Sequence, residues 1–293
     1  MTPCPVCGRA GGRPLARLQR RALVRCRGCR LVFLDPPRTT DAVREYFEDV
    51  YVDPAASRRI DSRRHRLFLD FLDGVRQAGR SRLLDIGCGT GEFIELARAR
   101  GWNAWGVEVS REAVQTAQGR GLQVALRASE GVEAERLPFA DDFFDVIVLW
   151  NVIEFFMRPD ADLAEIGRVL SPGGRIVVRT QNEPFHLTAY RLHRLFEWLP
   201  ASHAYLGRSY VFHPLLWSRR TLSDALARAG FVDIVVANSA PTAGDPYGVG
   251  PRREAIVQAG KWILDRAARV VARLSGGAWL IGASMTAVAR KPE

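Results

Sequence analysis

Eleven residues, Leu83-Leu84-Asp85-Ile86-Gly87-Cys88-Gly89-Thr90-Gly91-Glu92-Phe93, constrain the fold of this 293-residue chain more than any other stretch. An apolar run climbs to an acid, glycines follow at every second position, and an amphipathic pattern begins. That order predicts a buried parallel strand, a tight turn and a helix N-terminus, the place where α/β sheets hold nucleotides. Gly87, Gly89 and Gly91 permit backbone angles and close approaches closed to other residues. The dinucleotide fingerprint requires glycine at the sixth position, where this chain has Glu92. An acid at the helix start repels a pyrophosphate, so a cationic, phosphate-free nucleoside is the better guest.

The chain beyond this turn supplies the rest of such a sheet. Ala104–Val109 reads as a second strand, and Glu108 stands 23 residues after Asp85. A carboxylate at that distance can accept both ribose hydroxyls. Ser110 caps a helix running to about Gln118. Leu122–Leu126, Asp145–Leu149 and Arg175–Thr180 read as strands three to five, the fourth apolar throughout as a central parallel strand should be. Ser171-Pro172-Gly173-Gly174 reads as a turn, 221–230 as a helix, and 231–237 and 284–289 as the last two strands.

Five segments in this order resemble the class I S-adenosylmethionine-dependent methyltransferases. They are the Asp85–Gly91 turn, the strand ending at Glu108, Glu133-Ala134-Glu135-Arg136-Leu137-Pro138-Phe139, Asn151-Val152-Ile153-Glu154-Phe155, and Leu170-Ser171-Pro172-Gly173-Gly174. The resemblance covers roughly residues 80–240 and the last strand. It implies a seven-stranded, doubly wound, Rossmann-like α/β sheet. It further implies S-adenosylmethionine held by Asp85, Gly87, Cys88, Gly89, Gly91, Glu108, Val109, Glu133, Ala134 and Asn151, with Glu133 at the adenine amino group. The family often has Glu-His where this chain has Glu154-Phe155, so a mechanism using a histidine there is closed to it. Glu154 stays a candidate base or orienting group, alongside a purely structural role.

Ahead of this sheet, Cys4-Pro5-Val6-Cys7 and Cys26-Arg27-Gly28-Cys29 form two C-x2-C knuckles. Four thiolates match a closed tetrahedral zinc site, and Gly8 and Gly28 suit the knuckle turns. Disulfides in an exported protein or a redox pair are the rival readings. The ion's expected role is structural, folding a segment too short to bury a core. Residues 1–35 are thus expected to be a zinc ribbon, 36–80 a helical linker or lid, and 81–293 the methyltransferase domain. Tyr46, Tyr51 and His65 are candidates for the lid or acceptor pocket, against ordinary packing.

Net charge is +10, and Lys261 and Lys291 are the only lysines. The arginine skew points to a GC-rich coding sequence before it points to a function. Residues 1–66 hold 15 Arg and 7 acids, so most of the excess lies at the front. Such a face favours an anionic partner: a nucleotide-sugar, a lipid pyrophosphate or RNA. Solvated arginines without a specific role are the plain alternative. No charge-free run reaches membrane-span length and no apolar signal segment follows the start, so a cytoplasmic protein with reduced thiols is expected.

Two insertions, 183–217 and 241–280, flank the expected carboxyl ends of the strands or the sheet edge. They are natural walls for an acceptor pocket, or else simply core. His213-Pro214-Leu215-Leu216-Trp217-Ser218 resembles a His-x-x-x-aromatic-Ser run of zinc-ribbon methyltransferases from polysaccharide gene neighbourhoods. That resemblance makes His213 the first candidate for general base and a sugar the first candidate acceptor. An RNA base methyltransferase is the alternative, although the ribbon lacks the exposed aromatics of a single-strand platform. A cofactor-binding protein without catalysis is the third reading. The acceptor, the methylated atom, the oligomeric state and any membrane contact by 252–274 are left open by the sequence.

Overall fold

The computed structural model describes residues 2–18, 21–37, 45, 62–75, 79–127, 136–199, 202, 210, 212–240 and 251–293, with side chains in the first and last helices from 67 and 259 onward. Glu133, Ala134, Tyr46 and Tyr51 lie outside the described residues, as does the side chain of His65.

Seven strands form the main sheet: β4 (Arg82–Ile86), β5 (Asn103–Glu108), β6 (Val124–Leu126), β7 (Phe144–Trp150), β8 (Leu170–Gln181), β10 (Val232–Asn238) and β11 (Ser284–Arg290). Their order across the sheet is β10-β11-β8-β7-β4-β5-β6. From β6 to β8 all pairings are parallel, while β11 runs antiparallel to both β8 and β10. The chain winds outward from β4 to β6, then crosses back to β7 on the other side of β4. The crevice at that reversal is where open α/β sheets bind ligands. Helices α1 (Ser62–Val75), α2 (Glu92–Ala99), α3 (Arg111–Gly119), α4 (Pro159–Val169), α5 (Glu183–Leu195), α6 (Arg219–Arg228) and α7 (Pro251–Leu274) flank the sheet and its extensions. Ser110 Oγ accepts the Ala113 N–H to cap α3, and Ser218 and Thr221 form a capping box on α6. These caps satisfy amides that a helix start otherwise leaves open.

The Ser171–Gly174 turn expected from Pro-Gly-Gly is instead part of the 12-residue strand β8. Gly173 takes φ 69°, and the register against β7 shifts between Phe144 and Val146. The chain's end supplies the missing partners: Gly173 N–H donates to Lys291 O and Lys291 N–H to Gly174 O. A bulge therefore replaces the turn.

A second, four-stranded antiparallel sheet is built from β1 (Gly12–Leu18), β2 (Arg21–Cys26), β3 (Val32–Asp35) and β9 (Leu215–Leu216). Its fourth strand comes from the 183–217 insertion, with Phe33 paired to Leu215 and Val32 to Leu216. Leu34 N–H donates to Pro214 O, and an Arg25–Glu183 ion pair at 2.6 Å ties β2 to the start of α5. Buried Cys4, Val24 and Phe33 share one continuous apolar cluster with Trp217, Ile153 and the main-sheet residues Ile147 and Val178. The cysteine segment is therefore packed into the same core as the sheet.

Candidate functional site

The glycine turn is bolted to the end of β5. Gly87 and Cys88 both donate to Val107 O, at 2.7 and 3.2 Å, and the Glu108 carboxylate completes the joint. One of its oxygens accepts Gly89 N–H at 2.9 Å; the other accepts Val109 N–H at 2.7 Å and Ser110 N–H at 3.1 Å. Glu108 is buried, and desolvation raises its pKa, opposed by these three donors. A carboxylate offers about four lone-pair sites, so roughly one stays open on the oxygen bound to Gly89.

The glycines have different jobs. Gly87 takes φ 73°, and a Cβ on it would meet Val152 Cγ2 at 2.4 Å. At Gly91, φ is 87° and a Cβ would meet Leu122 Cδ1 at 2.3 Å. Both are thus required by packing against neighbouring loops as well as by the turn. Cys88 is buried, and a Cβ on Gly106 of β5 would strike its sulfur at 2.5 Å. The Cys88 side chain is therefore core between β5 and α2, which leaves its backbone to face a ligand. Burial first, then Asp85 and Glu108, push its thiol well up, so it stays protonated.

Asp85 is buried, with its carboxyl raised well above the usual range by desolvation and then by Glu108. Its Oδ1 has no hydrogen-bond partner. The same holds for Trp150 Nε1, Glu154 Oε1 and Gln181 Oε1. Six buried side-chain polar atoms among the described residues lack partners, and these four sit at or just beyond the carboxyl ends of the adjacent strands β4, β7 and β8. Buried polar groups are rarely left unpaired without reason, and a row of them along one sheet edge is what a missing polar ligand leaves. Trp150 also packs with Phe68 and Phe71 of α1 and Phe93 of α2, its ring centroid 4.9–5.5 Å from theirs. The helix preceding the glycine turn is thereby fixed beside the site.

Beyond β7, Asn151 adopts φ 59° and its Oδ1 accepts from Arg179 Nη1. Arg179, near the carboxyl end of β8, is buried and also donates to Ser239 Oγ at 2.9 Å. It escaped the sequence reading; an arginine between Val178 and Thr180 in a central strand was the available signal. Glu154 lies in a short 3-10 turn, Ile153–Phe155, fully buried, and accepts the Thr180 hydroxyl at 2.9 Å. Burial pushes its carboxyl up to about 7, against smaller opposing pulls from a backbone N–H, Thr180 and Arg179.

His213 is half-buried with its ring 4.8 Å from that of Phe155, so the insertion brings it to the residue next to Glu154. Two other histidines have structural partners. His186 pairs with Ala283 O at 3.0 Å, and burial lowers its pKa to about 4; His193 pairs with Ser202 Oγ at 2.9 Å.

The four N-terminal cysteines converge. Their Sγ atoms all lie within 4.8 Å of one another, with Cys4–Cys29 and Cys7–Cys26 at 3.5 Å. A tetrahedron with metal–sulfur bonds near 2.3 Å has edges of about 3.8 Å, inside this range. Gly28 N–H donates to Cys26 Sγ at 3.3 Å, the contact a knuckle amide makes to a thiolate. All four are free cysteines, so the donor set fits one zinc-sized ion.

Residues 53–236 match a family described as a methyltransferase domain. A ubiquinone/menaquinone biosynthesis C-methyltransferase UbiE from Burkholderia cenocepacia is 29% identical over 164 residues, covering 51% of this chain and 66% of that protein. The chain thus spans just under two thirds of the length of that curated relative. Among solved structures, a chain in the complex of the Haloferax volcanii Trm112 methyltransferase activator with its methyltransferase superposes with TM-score 0.55 at 18% identity, covering 86% of this chain and 98% of that one. The [4+2]-cyclase SpnF gives 0.54 at 22% identity, covering 87% and 98%. Both show a shared fold.

Two outcomes follow from the geometry. Glu108→Ala removes the acceptor for three turn amides, and with Glu108 as the ribose acceptor that the family resemblance implies, S-adenosylmethionine affinity should fall by about 3 kcal/mol, roughly 150-fold. Titration calorimetry reads this directly, and unchanged affinity would remove Glu108 from the site. Glu154, ordinarily near 4.5, keeps its proton in the folded chain up to about 7. The stability it contributes is full below the lower value and is lost as pH rises through the higher one, on the order of 3 kcal/mol in all. Glu154→Gln should flatten that decline in urea unfolding between about pH 4.5 and about pH 7; an unaltered slope would place the titration elsewhere.

Proposed function

The chain belongs to the class I S-adenosylmethionine-dependent methyltransferase family, and we propose that it transfers a methyl group to a sugar, carried as a nucleotide-sugar or within a surface glycan or its lipid-linked precursor. One observation carries the cofactor half of this reading: the row of unpartnered buried polar atoms from Asp85 to Gln181 along the carboxyl edge of β4, β7 and β8. Two buried acids, Asp85 and Glu108, at a turn whose helix opens with Glu92 suit a cationic nucleoside better than a pyrophosphate. Glu133 and Ala134 complete the nucleoside site by resemblance.

Bound there, S-adenosylmethionine supplies a sulfonium methyl that is already activated. The chain's own work is to align the acceptor atom, keep water out and take a proton. His213 is the proposed base for a hydroxyl acceptor, because a histidine titrates near working pH and its ring stands on Phe155 at the carboxyl side of β7. Glu154, which accepts the Thr180 hydroxyl, is an orienting group in this reading. The sugar acceptor is supported by the His213–Ser218 run and by the arginine-rich front end, whose Arg25 reaches Glu183 at the mouth of the insertion. A carbon acceptor on a lipid quinone, the chemistry in the name of the Burkholderia cenocepacia relative, is the competing reading. Cys4, Cys7, Cys26 and Cys29 hold a structural zinc ion in this reading.

Methyl-labelled cofactor incubated with a cell extract, then fractionated into nucleotide-sugar, lipid-glycan, quinone and RNA pools, tests the acceptor. Label in either sugar pool supports the proposal; label confined to quinone or RNA replaces it. His213→Ala should cut turnover by on the order of 10²–10⁴ with cofactor affinity intact, and full activity would exclude it as base. Elemental analysis of unchelated protein should find one zinc per chain, and chelation should lower the melting temperature; metal-free, equally stable protein would rule the ion out.

A further inference from the structure

Helix α7 has an inner and an outer side. Ala268 and Asp265 are buried, and Asn238 of β10 donates to Ala268 O at 3.0 Å, fixing the inner side against the sheet edge. At 3.6 residues per turn the opposite side carries Trp262, Ile263, Arg266, Val270, Arg273 and Leu274. All six are exposed, and the four apolar ones strongly so: Trp262 56%, Ile263 63%, Val270 54% and Leu274 84%. Just past the helix, Trp279 is 69% exposed. A continuous apolar strip of this kind marks an interaction surface, unlike singly scattered apolar residues.

The charges on the strip say what covers it. Between residues 259 and 274 the one acid is Asp265, which is buried and paired with Arg269. The outward side is therefore apolar and purely cationic. The Arg266 guanidinium lies 4.9 Å over the Trp262 ring, an amphipathic pair suited to the depth where apolar chains give way to anionic headgroups. No helix among the described residues is long and apolar enough to cross a membrane. A second copy of this chain would bring the same arginines face to face.

We propose that the outer side of α7 lies in the headgroup region of an anionic lipid bilayer, with Trp262, Ile263, Val270 and Leu274 in the acyl boundary and Arg266 and Arg273 at the phosphates. The segment leaving this helix reaches the site's insertion: Asn182 Nδ2 donates to Leu280 O and Gly282 O, and His186 pairs with Ala283 O. These bonds tie the docked helix to the end of β8 and the start of α5.

Flotation of the full chain with vesicles tests this. Wild-type protein should float with phosphatidylcholine–phosphatidylglycerol vesicles, stay behind with phosphatidylcholine alone, and be released by high salt. The pair W262S/L274S and the pair R266E/R273E should each lower partitioning by tenfold or more, roughly what lost apolar area and two lost surface cations predict. R219E, a charge reversal on the exposed start of α6, should leave partitioning unchanged. Cofactor affinity equal to wild type establishes that the variants are folded. Absence of flotation, or flotation indifferent to both pairs, overturns the proposal. So does light scattering that finds a wild-type dimer which W262S/L274S turns into monomer, because the strip then belongs to a second copy.

Discussion

A single carboxylate joins the carboxyl ends of β4 and β5. Glu108 holds Gly89, Val109 and Ser110 by their amides, so the turn after β4, the end of β5 and the start of α3 move as one piece. Taken from water alone, a buried acid destabilises a fold. Here three donors offset that cost, and the acid also gives the site its negative potential. Asp85, 23 residues earlier at the end of β4, has its own carboxyl pushed well up by burial and then by Glu108.

Local physics made half of this legible in the sequence. Asp85, the alternating glycines and Glu108 are near in sequence, each with a periodic strand leading into it, and they stand where those strands end. The capping serines Ser110 and Ser218 were readable for the same reason. Ser171–Gly174 misled because a Pro-Gly-Gly run is a turn only when nothing pairs with it, and Lys291, at the far end of the chain, does. Arg179 was passed over as one more strand residue, although its guanidinium ties Asn151 to Ser239. The pairing of Leu215–Leu216 with Val32–Phe33 carries no local signal at all: two apolar residues in an aromatic-rich insertion look like core anywhere.

The sheet by itself does not decide the reaction, since folds of this kind host many chemistries. What distinguishes this chain lies beyond the carboxyl end of β7, where the resembled family often has a histidine and this chain has Phe155, with His213 arriving from a different element to stand against it. Glu154 and Arg179 are both buried there, Glu154 accepting the Thr180 hydroxyl and Arg179 donating to Asn151 and Ser239. The surroundings of Phe155 are thus assembled from an insertion and from the cysteine-bearing sheet that pairs with it, while the glycine turn belongs to the main sheet.

The β3–β9 pairing also bears on how the chain is made. Phe33 leaves the ribosome roughly 180 residues before its partner Leu215, an interval of about 10–40 s at ordinary synthesis rates. Through that interval β3 is an open strand edge with Val32, Phe33 and Leu34 ready to pair with whatever is near. In the proposed zinc-bound state the four cysteines, all within the first 29 residues, close across β1 and β2 long before that edge is covered. Metal supply during translation would then govern the yield of native protein more than the activity of protein already folded, and the two effects would separate in time after a chelator is added to growing cells.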